Sequence, residues 1–370
     1  MANYDYEIVN GRKIRVRPKE TVSEIDKNGY FRRQPNHFTT PFGDGENDLK
    51  AEGNKRYRLV WAKLCHWSNR AAIVRELESL EDQISVNMVE HAPHEKNLGW
   101  EYVYNENNID PMLGDQFLSE AYYRADDDYQ GRTTVPALID TATGKVVNND
   151  YNWLTTYFEV NFRPWHKKGA PELYPVELRE EIDKMNLWLF DNINNAVYRS
   201  SFSRSNEGHF DGVNTFYAAM DRLEKRLETN RFLFGDYVTD SDIRLYVTLA
   251  RLDIRYTAQL GETKRPLYNY KNLWGYAKEL WEIPAFAHHT DFAAIIRQGR
   301  IEGEEDGFRA STHYDLALPK IDWDAQWKVS TERAYLSSDP THPIYLGNNR
   351  RFYIDPTWYD LGAESPKKEE

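Results

Sequence analysis

The sequence predicts a mixed α/β half followed by an all-α half. Three observations carry this. From about Tyr57 to Phe158, short apolar strands alternate with helical stretches. A basic run containing proline and glycine, RPWHKKGAPE at 163–172, then interrupts the pattern. Beyond it, from Pro175 to about Arg297, apolar residues recur at helical spacing with no convincing strand. The expected divisions are an N-terminal extension over 1–54, an α/β domain over 55–162 and a linker over 163–174. A helical domain over 175–300 and a C-terminal extension over 301–370 follow.

Residues 1–54 are polar and turn-rich, with Pro35, Pro41 and Gly43-Asp44-Gly45 breaking any period, and read as a meandering extension. Tyr57 to Ala62 is short, aromatic and β-branched, as a buried strand is. A helix is expected over 68–81, where Ala71, Val74 and Leu77 share a face, and a strand over 84–90. After an irregular insertion come a helical stretch near 115–124 and a strand ending in Val135-Pro136-Ala137-Leu138-Ile139-Asp140. A hairpin through Thr143-Gly144 leads to a strand over 145–147 and a helix from about Asp150. This β-α-β then β-β-α order predicts a small thioredoxin-like sheet with helices on both faces. Pro136 lacks the N–H a central strand needs, so a cis Val135–Pro136 bond at the strand start is expected. It would aim the backbone groups of Val135 at a cleft.

The clearest signal in the helical half is a capped start. Thr239 is the expected N-cap, Asp242 answers from the third helical position, and Val238 can staple against Ile243. The run IRLYVTLARLD that follows is apolar apart from its arginines, so it belongs at the buried centre. The tail beyond Arg300 is irregular and aromatic, expected to pack on the domain surface and to fray at its charged end.

Composition narrows the setting. A net charge of −12 argues against nucleic acid or an anionic membrane as the main partner. No apolar stretch approaches the roughly 20 residues that span a bilayer, and the N-terminus lacks the apolar core of a signal peptide. One cysteine excludes an internal disulfide framework and a cysteine-based metal cluster. His91-Ala92-Pro93-His94 is too short and proline-broken for a metal site, so none is expected. A reducing cytoplasm is the simplest compartment.

That single cysteine, Cys65, sits where the first buried strand becomes the first helix. A thiol there meets the positive end of the helix dipole and unpaired backbone N–H groups, which favour thiolate. Ser68 stands where a dithiol redox protein carries its second cysteine, so any chemistry is monothiol. The plainer reading is a small buried hydrophobe. His66 and His166 are candidate bases, although packing or surface roles are the commoner fate of such histidines.

Several stretches together carry a family resemblance. GRTTVPALID, GKVVNND, NNAVYRSSF, DRLEKRLETNRFLFGDYVTDSDIRLYVTLARLDIRY and YKNLWGYAKELW resemble the glutathionyl-hydroquinone reductases, the Xi class of the glutathione transferase superfamily. The resemblance implies the glutathione-transferase fold: a thioredoxin-like N-terminal domain and an all-α C-terminal domain. It implies glutathione as cosubstrate, a small thiol and an aromatic, quinone-derived substrate as partners, and a homodimer. It makes Cys65 the nucleophile that takes glutathione from an S-glutathionyl hydroquinone, forming a mixed disulfide that a second glutathione resolves. Trp100 matches the family tryptophan that packs on glutathione. Arg132, Thr133, Thr134 and Val135 match the segment that binds the tripeptide, with Arg132 available to a carboxylate. Asp150 and Tyr151 align with the pair that holds its γ-glutamyl end. Tyr198 and Tyr256 match two tyrosines that face the quinone ring and meet its developing charge.

Three departures stand out. His66 replaces a proline after the cysteine, and a protonated imidazole there would deepen the thiolate preference. Tyr151 replaces a small hydroxyl, which tilts the site towards another small thiol or weaker thiol binding. A further family tyrosine is missing near Gly299. The alternatives are an Omega-like thiol transferase or dehydroascorbate-type reductase, and a non-catalytic protein that binds aromatic ligands.

Overall fold

The computed structural model describes residues 4–17, 23–92, 97–261, 265–296, 322–341 and 343–344. The chain opens with a hairpin, β1 (Tyr6–Val9) and β2 (Arg12–Arg15), where a simple extension was expected. Its turn is Asn10-Gly11, both at positive φ (52° and 77°), the conformation that suits a two-residue hairpin. The α/β part then runs β3 (Tyr57–Trp61), α1 (His66–Leu77), β4 (Ile84–Met88), β5 (Glu90–His91) and β6 (Trp100–Glu101). It continues through α2 (Leu118–Ala125), β7 (Ala137–Asp140), β8 (Lys145–Asn148) and α3 (Leu154–Val160).

The central sheet has the order β4-β3-β7-β8. β3 is parallel to β4, and β7 is antiparallel to both β3 and β8. Every residue of β3 is buried, and alternation splits them between two cores. Tyr57 and Leu59 join Ile73, Val74, Leu154 and Phe158 of α1 and α3. Val60 joins Leu118, Ala121 and Tyr122 of α2, together with Cys65 and Trp67. The thioredoxin-like layering is therefore present, and the Val135–Pro136 bond is cis. α1 differs from the expected 68–81. It begins immediately after Cys65 and ends near Glu78, because Ser79 takes a positive φ of 56° and turns Leu80 into the core.

The second part is helical: α4 (Arg179–Leu189), α5 (Ala196–Phe202), α6 (Asn206–Arg226), α7 (Asp240–Arg251), α8 (Thr257–Gln259), α9 (Lys271–Trp281) and α10 (Pro284–His288). All twelve residues of α7 are buried, as its apolar run predicts. Its start is the expected box: Thr239 N–H and Oγ1 donate to Asp242 Oδ2 at 2.8 and 2.9 Å. Asp242 also accepts from Leu233 N–H and the Tyr276 hydroxyl. Two π-helical turns, Phe190–Asn194 and Leu252–Tyr256, follow α4 and α7. Such wider turns recur at functional sites. A short helix α11 (Trp323–Trp327) buries Trp327 against Tyr246, Trp274 and Phe292, deeper than surface packing. Most of 301–370, with Gly299 and Arg300, lies outside the described residues.

Candidate active site

Cys65 is the residue just before α1, with an extended backbone (φ −85°, ψ 118°). Its side chain belongs to the α2-side core and is 8% exposed, opening into a cleft of about 450 Å³. Across the cleft floor Sγ points at the Val135 carbonyl, 3.8 Å away. The Ser68 hydroxyl donates to the carbonyls of Ala62 and Cys65 and accepts from Ala62 N–H. Ser68 thus latches the loop rather than offering a second reactive group.

A second clamp comes from α7. Arg251 is 0% exposed and donates to the carbonyls of Lys63, Leu64 and Val247 and to Asn69 Oδ1, at 2.8–3.1 Å. None of these partners is charged. Burial lowers its pKa, while Tyr256 and Cys65 oppose that shift because their anionic forms favour the cation. The sequence reading passed over this arginine, since an arginine on a helix carries no sign of where its stem runs.

His66 corrects the expectation of a charged neighbour. It is 1% exposed, and its Nδ1 meets Thr248 Oγ1 at 3.1 Å and the Tyr256 hydroxyl at 3.3 Å. Burial holds its pKa well below the imidazole range, and Arg251, Arg33, Arg255 and Arg70 push the same way. The ring is neutral, so it adds no positive charge beside Cys65. His166 bonds to the Phe158 carbonyl and pairs with Glu78, a packing role. His91 stacks on Trp100, with ring centres 3.8 Å apart, and His94 lies outside the described residues.

The structure gathers most of the sequence-predicted residues around one cleft. Trp100, Arg132, Thr133, Thr134, Val135 and Tyr151 line it on the α/β side, and Tyr198 lines it on the helical side. Trp100 donates from its indole to the Thr133 carbonyl at 3.1 Å, tying the two segments together. Two residues stand behind the wall. Asp150 is 8% exposed and accepts from Asn36 and from Asn152 N–H. Tyr256 is 1% exposed and meets His66, and burial raises its pKa well above the ordinary phenol value.

The N-terminal segment supplies residues that sequence reasoning missed. Arg17, Glu24, Arg33 and Gln34 all line the cleft. Both oxygens of Glu24 pair with Arg132, at 2.8 Å each, so the carboxylate that Arg132 meets is the chain's own. Among the described residues, the lining holds five arginines (17, 33, 132, 204 and 255) against one carboxylate, Glu24. In a chain of net charge −12, that is a local excess of positive charge, the kind of potential that draws anions.

Comparison with known proteins agrees with this fold. The family profile described as glutathione S-transferase, C-terminal domain, matches residues 197–279. Glutathione S-transferase omega-like 2 of Schizosaccharomyces pombe is 33% identical over 280 residues, covering 73% of this chain and 88% of that protein. Glutathionyl-hydroquinone reductase YqjG of Escherichia coli is 32% identical over 240 residues, covering 65% and 73% respectively. The Xi glutathione S-transferase of Phanerochaete chrysosporium superposes with a TM-score of 0.66 at 33% identity, covering 73% of this chain and 87% of that one. The glutathione-bound YqjG structure gives 0.67 at 30% identity, covering 80% and 96%. The chain is thus an enzyme of the glutathione S-transferase superfamily, a divergent member of its Xi class, the glutathionyl-hydroquinone reductase family.

Proposed function

We propose that this enzyme removes glutathione from S-glutathionyl hydroquinones through a Cys65–glutathione mixed disulfide. The observation that carries the reading is the position of Cys65, at the start of α1 and open to a cleft walled by Val135 and Tyr198. The Cys65 thiolate attacks the sulfur of the conjugate. The ring carbon–sulfur bond breaks, its electron pair stays with the ring, and the ring carbon takes up a proton. The aryl group is reduced and the two sulfurs are oxidised to a disulfide. A second glutathione attacks that disulfide, releasing glutathione disulfide and free Cys65.

In this scheme the Val135 backbone and Trp100 hold the tripeptide, and Arg132 meets one of its carboxylates in exchange for Glu24, which holds the fork in the free enzyme. The Tyr198 phenol donates to the ring oxygen that gains charge. Tyr256 acts one layer back, orienting His66 and the helical wall. The arginine-rich lining suits a tripeptide that is anionic at neutral pH. Dimerisation by the family's usual interface belongs to the same reading.

Glutathionyl-hydroquinone is supplied with glutathione, and free hydroquinone is followed by chromatography. Wild type is expected to turn over and to show a single glutathionyl adduct on Cys65 by mass spectrometry. Cys65→Ser is expected to lose both, and equal activity in the two proteins would sink the assignment. A second reading, an Omega-like thiol transferase, is favoured by Asp150 lying behind the cleft wall. It predicts faster turnover of a simple mixed disulfide than of the aryl conjugate.

A further inference from the structure

One arginine of the cleft has no role in the scheme above and is only partly used by the fold. Arg33 reaches the cleft from the N-terminal segment, and its Nε donates to Asn195 Oδ1 at 2.8 Å. Its guanidinium carbon lies 4.3 Å from the centre of the Tyr198 ring and 4.7 Å from that of Trp67. The Tyr151 ring is 5.9 Å away. One hydrogen bond and two ring faces therefore fix the plane of the fork.

Its Nη2 is shut off from water and has no hydrogen-bond partner among the described residues. Charged donors are rarely left so, because the desolvation is unrecovered until an acceptor arrives. Glu24, the one carboxylate among the described lining residues, has both oxygens committed to Arg132. Arg33 itself lines the cleft, its guanidinium over Trp67 and Tyr198 on the two sides, and Trp67 is only two residues beyond Cys65.

We propose that Arg33 binds a carboxylate of the ligand in this cleft. Its planar, preset fork matches a carboxylate far better than it matches a neutral hydroxyl. The carboxylate has two possible sources: a terminal carboxylate of the small thiol, or an acidic substituent on the aromatic group. The inference rests on reading the cleft as a site for a small thiol and an aromatic partner.

Equilibrium binding separates it from that reading's chemistry. Titration calorimetry on wild type, Arg33→Met and Arg33→Lys uses two ligand pairs: glutathione and its dimethyl ester, and 2,5-dihydroxybenzoate and hydroquinone. Folding of each variant is checked by circular dichroism. Arg33→Met is expected to weaken the carboxylate member of one pair by about tenfold or more. The member of the same pair that lacks the carboxylate should change little, and Arg33→Lys should recover part of the loss. The affected pair identifies the source. Equal weakening within both pairs, no weakening at all, or no wild-type binding to either carboxylate ligand overturns the proposal. If the binding contrast holds while no hydroquinone is released in the turnover assay, the reductase reading fails and the role of Arg33 stands.

Discussion

Arg251 and Leu64 are 187 residues apart in sequence, and the Arg251 Nε donates to the Leu64 carbonyl at 2.9 Å, one residue before Cys65. A helix of the second domain thereby sets the shape of the loop that presents the thiol. With Lys63 and Asn69 also on the same guanidinium, no single-point donor can replace it.

Arg251→Met should leave the carbonyls of Lys63 and Leu64 buried without donors. A loss of about 3 kcal/mol is expected in urea unfolding. Arg251→Lys should restore part of it, since one ammonium cannot reach all four acceptors. Iodoacetamide alkylation of Cys65 at fixed pH should slow severalfold in Arg251→Met. An unchanged alkylation rate in the folded variant would remove Arg251 from the thiol's environment.

His66 makes stability depend on pH. Its folded pKa lies below the unfolded value near 6.5, so the unfolded chain binds the proton first. The contribution is complete above about pH 6.5 and is lost as pH falls towards the folded value, with a slope of up to about 1.4 kcal/mol per pH unit. Glu78, pushed up to about 7 by burial, titrates nearby, so the readout is a difference between two proteins. His66→Asn should show a shallower loss of urea stability than wild type between pH 6.5 and 5. Parallel profiles would contradict the neutral, buried imidazole.

Glu24 competes for Arg132. The pair is partly exposed, with side chains 21% and 41% accessible, so its strength is roughly 0–1 kcal/mol. Glu24→Gln should free the fork and lower the KM for glutathione by up to about fivefold, with kcat little changed. A raised KM in steady-state assays would instead make Glu24 a support that Arg132 needs.

Asp242 accepts four hydrogen bonds while fully buried. Asp242→Asn keeps the shape but turns an amide N–H₂ towards donors. A loss of roughly 3 kcal/mol is expected by calorimetry. Activity per folded molecule should be retained, because the cap lies away from Cys65.

What could be read in advance follows the range of each signal. The capped start at Thr239, the buried strand from Tyr57 and the cis bond before Pro136 are local, and each appeared as expected. Cys65 was legible for the same reason, being at a strand-to-helix junction. The Asn10-Gly11 turn is equally local, yet it lies in a polar segment that reads as an extension rather than a hairpin. The partners of the site were not legible. Glu24 reaches Arg132 across 108 positions and Arg33 reaches Asn195 across 162, so only the folded backbone brings them together. The neutral state of His66 is also collective, set by burial and by arginines contributed from separate segments.

The clamp from α7 also gives the cysteine a timetable. A ribosome adding roughly 5–20 residues each second places Arg251 in the chain some 10–40 s after Leu64. During that interval the nascent thiol has neither its loop geometry nor the helical wall over the cleft. The folded setting of Cys65 is therefore acquired late in synthesis, and a nascent chain halted before α7 carries Cys65 on an unclamped loop.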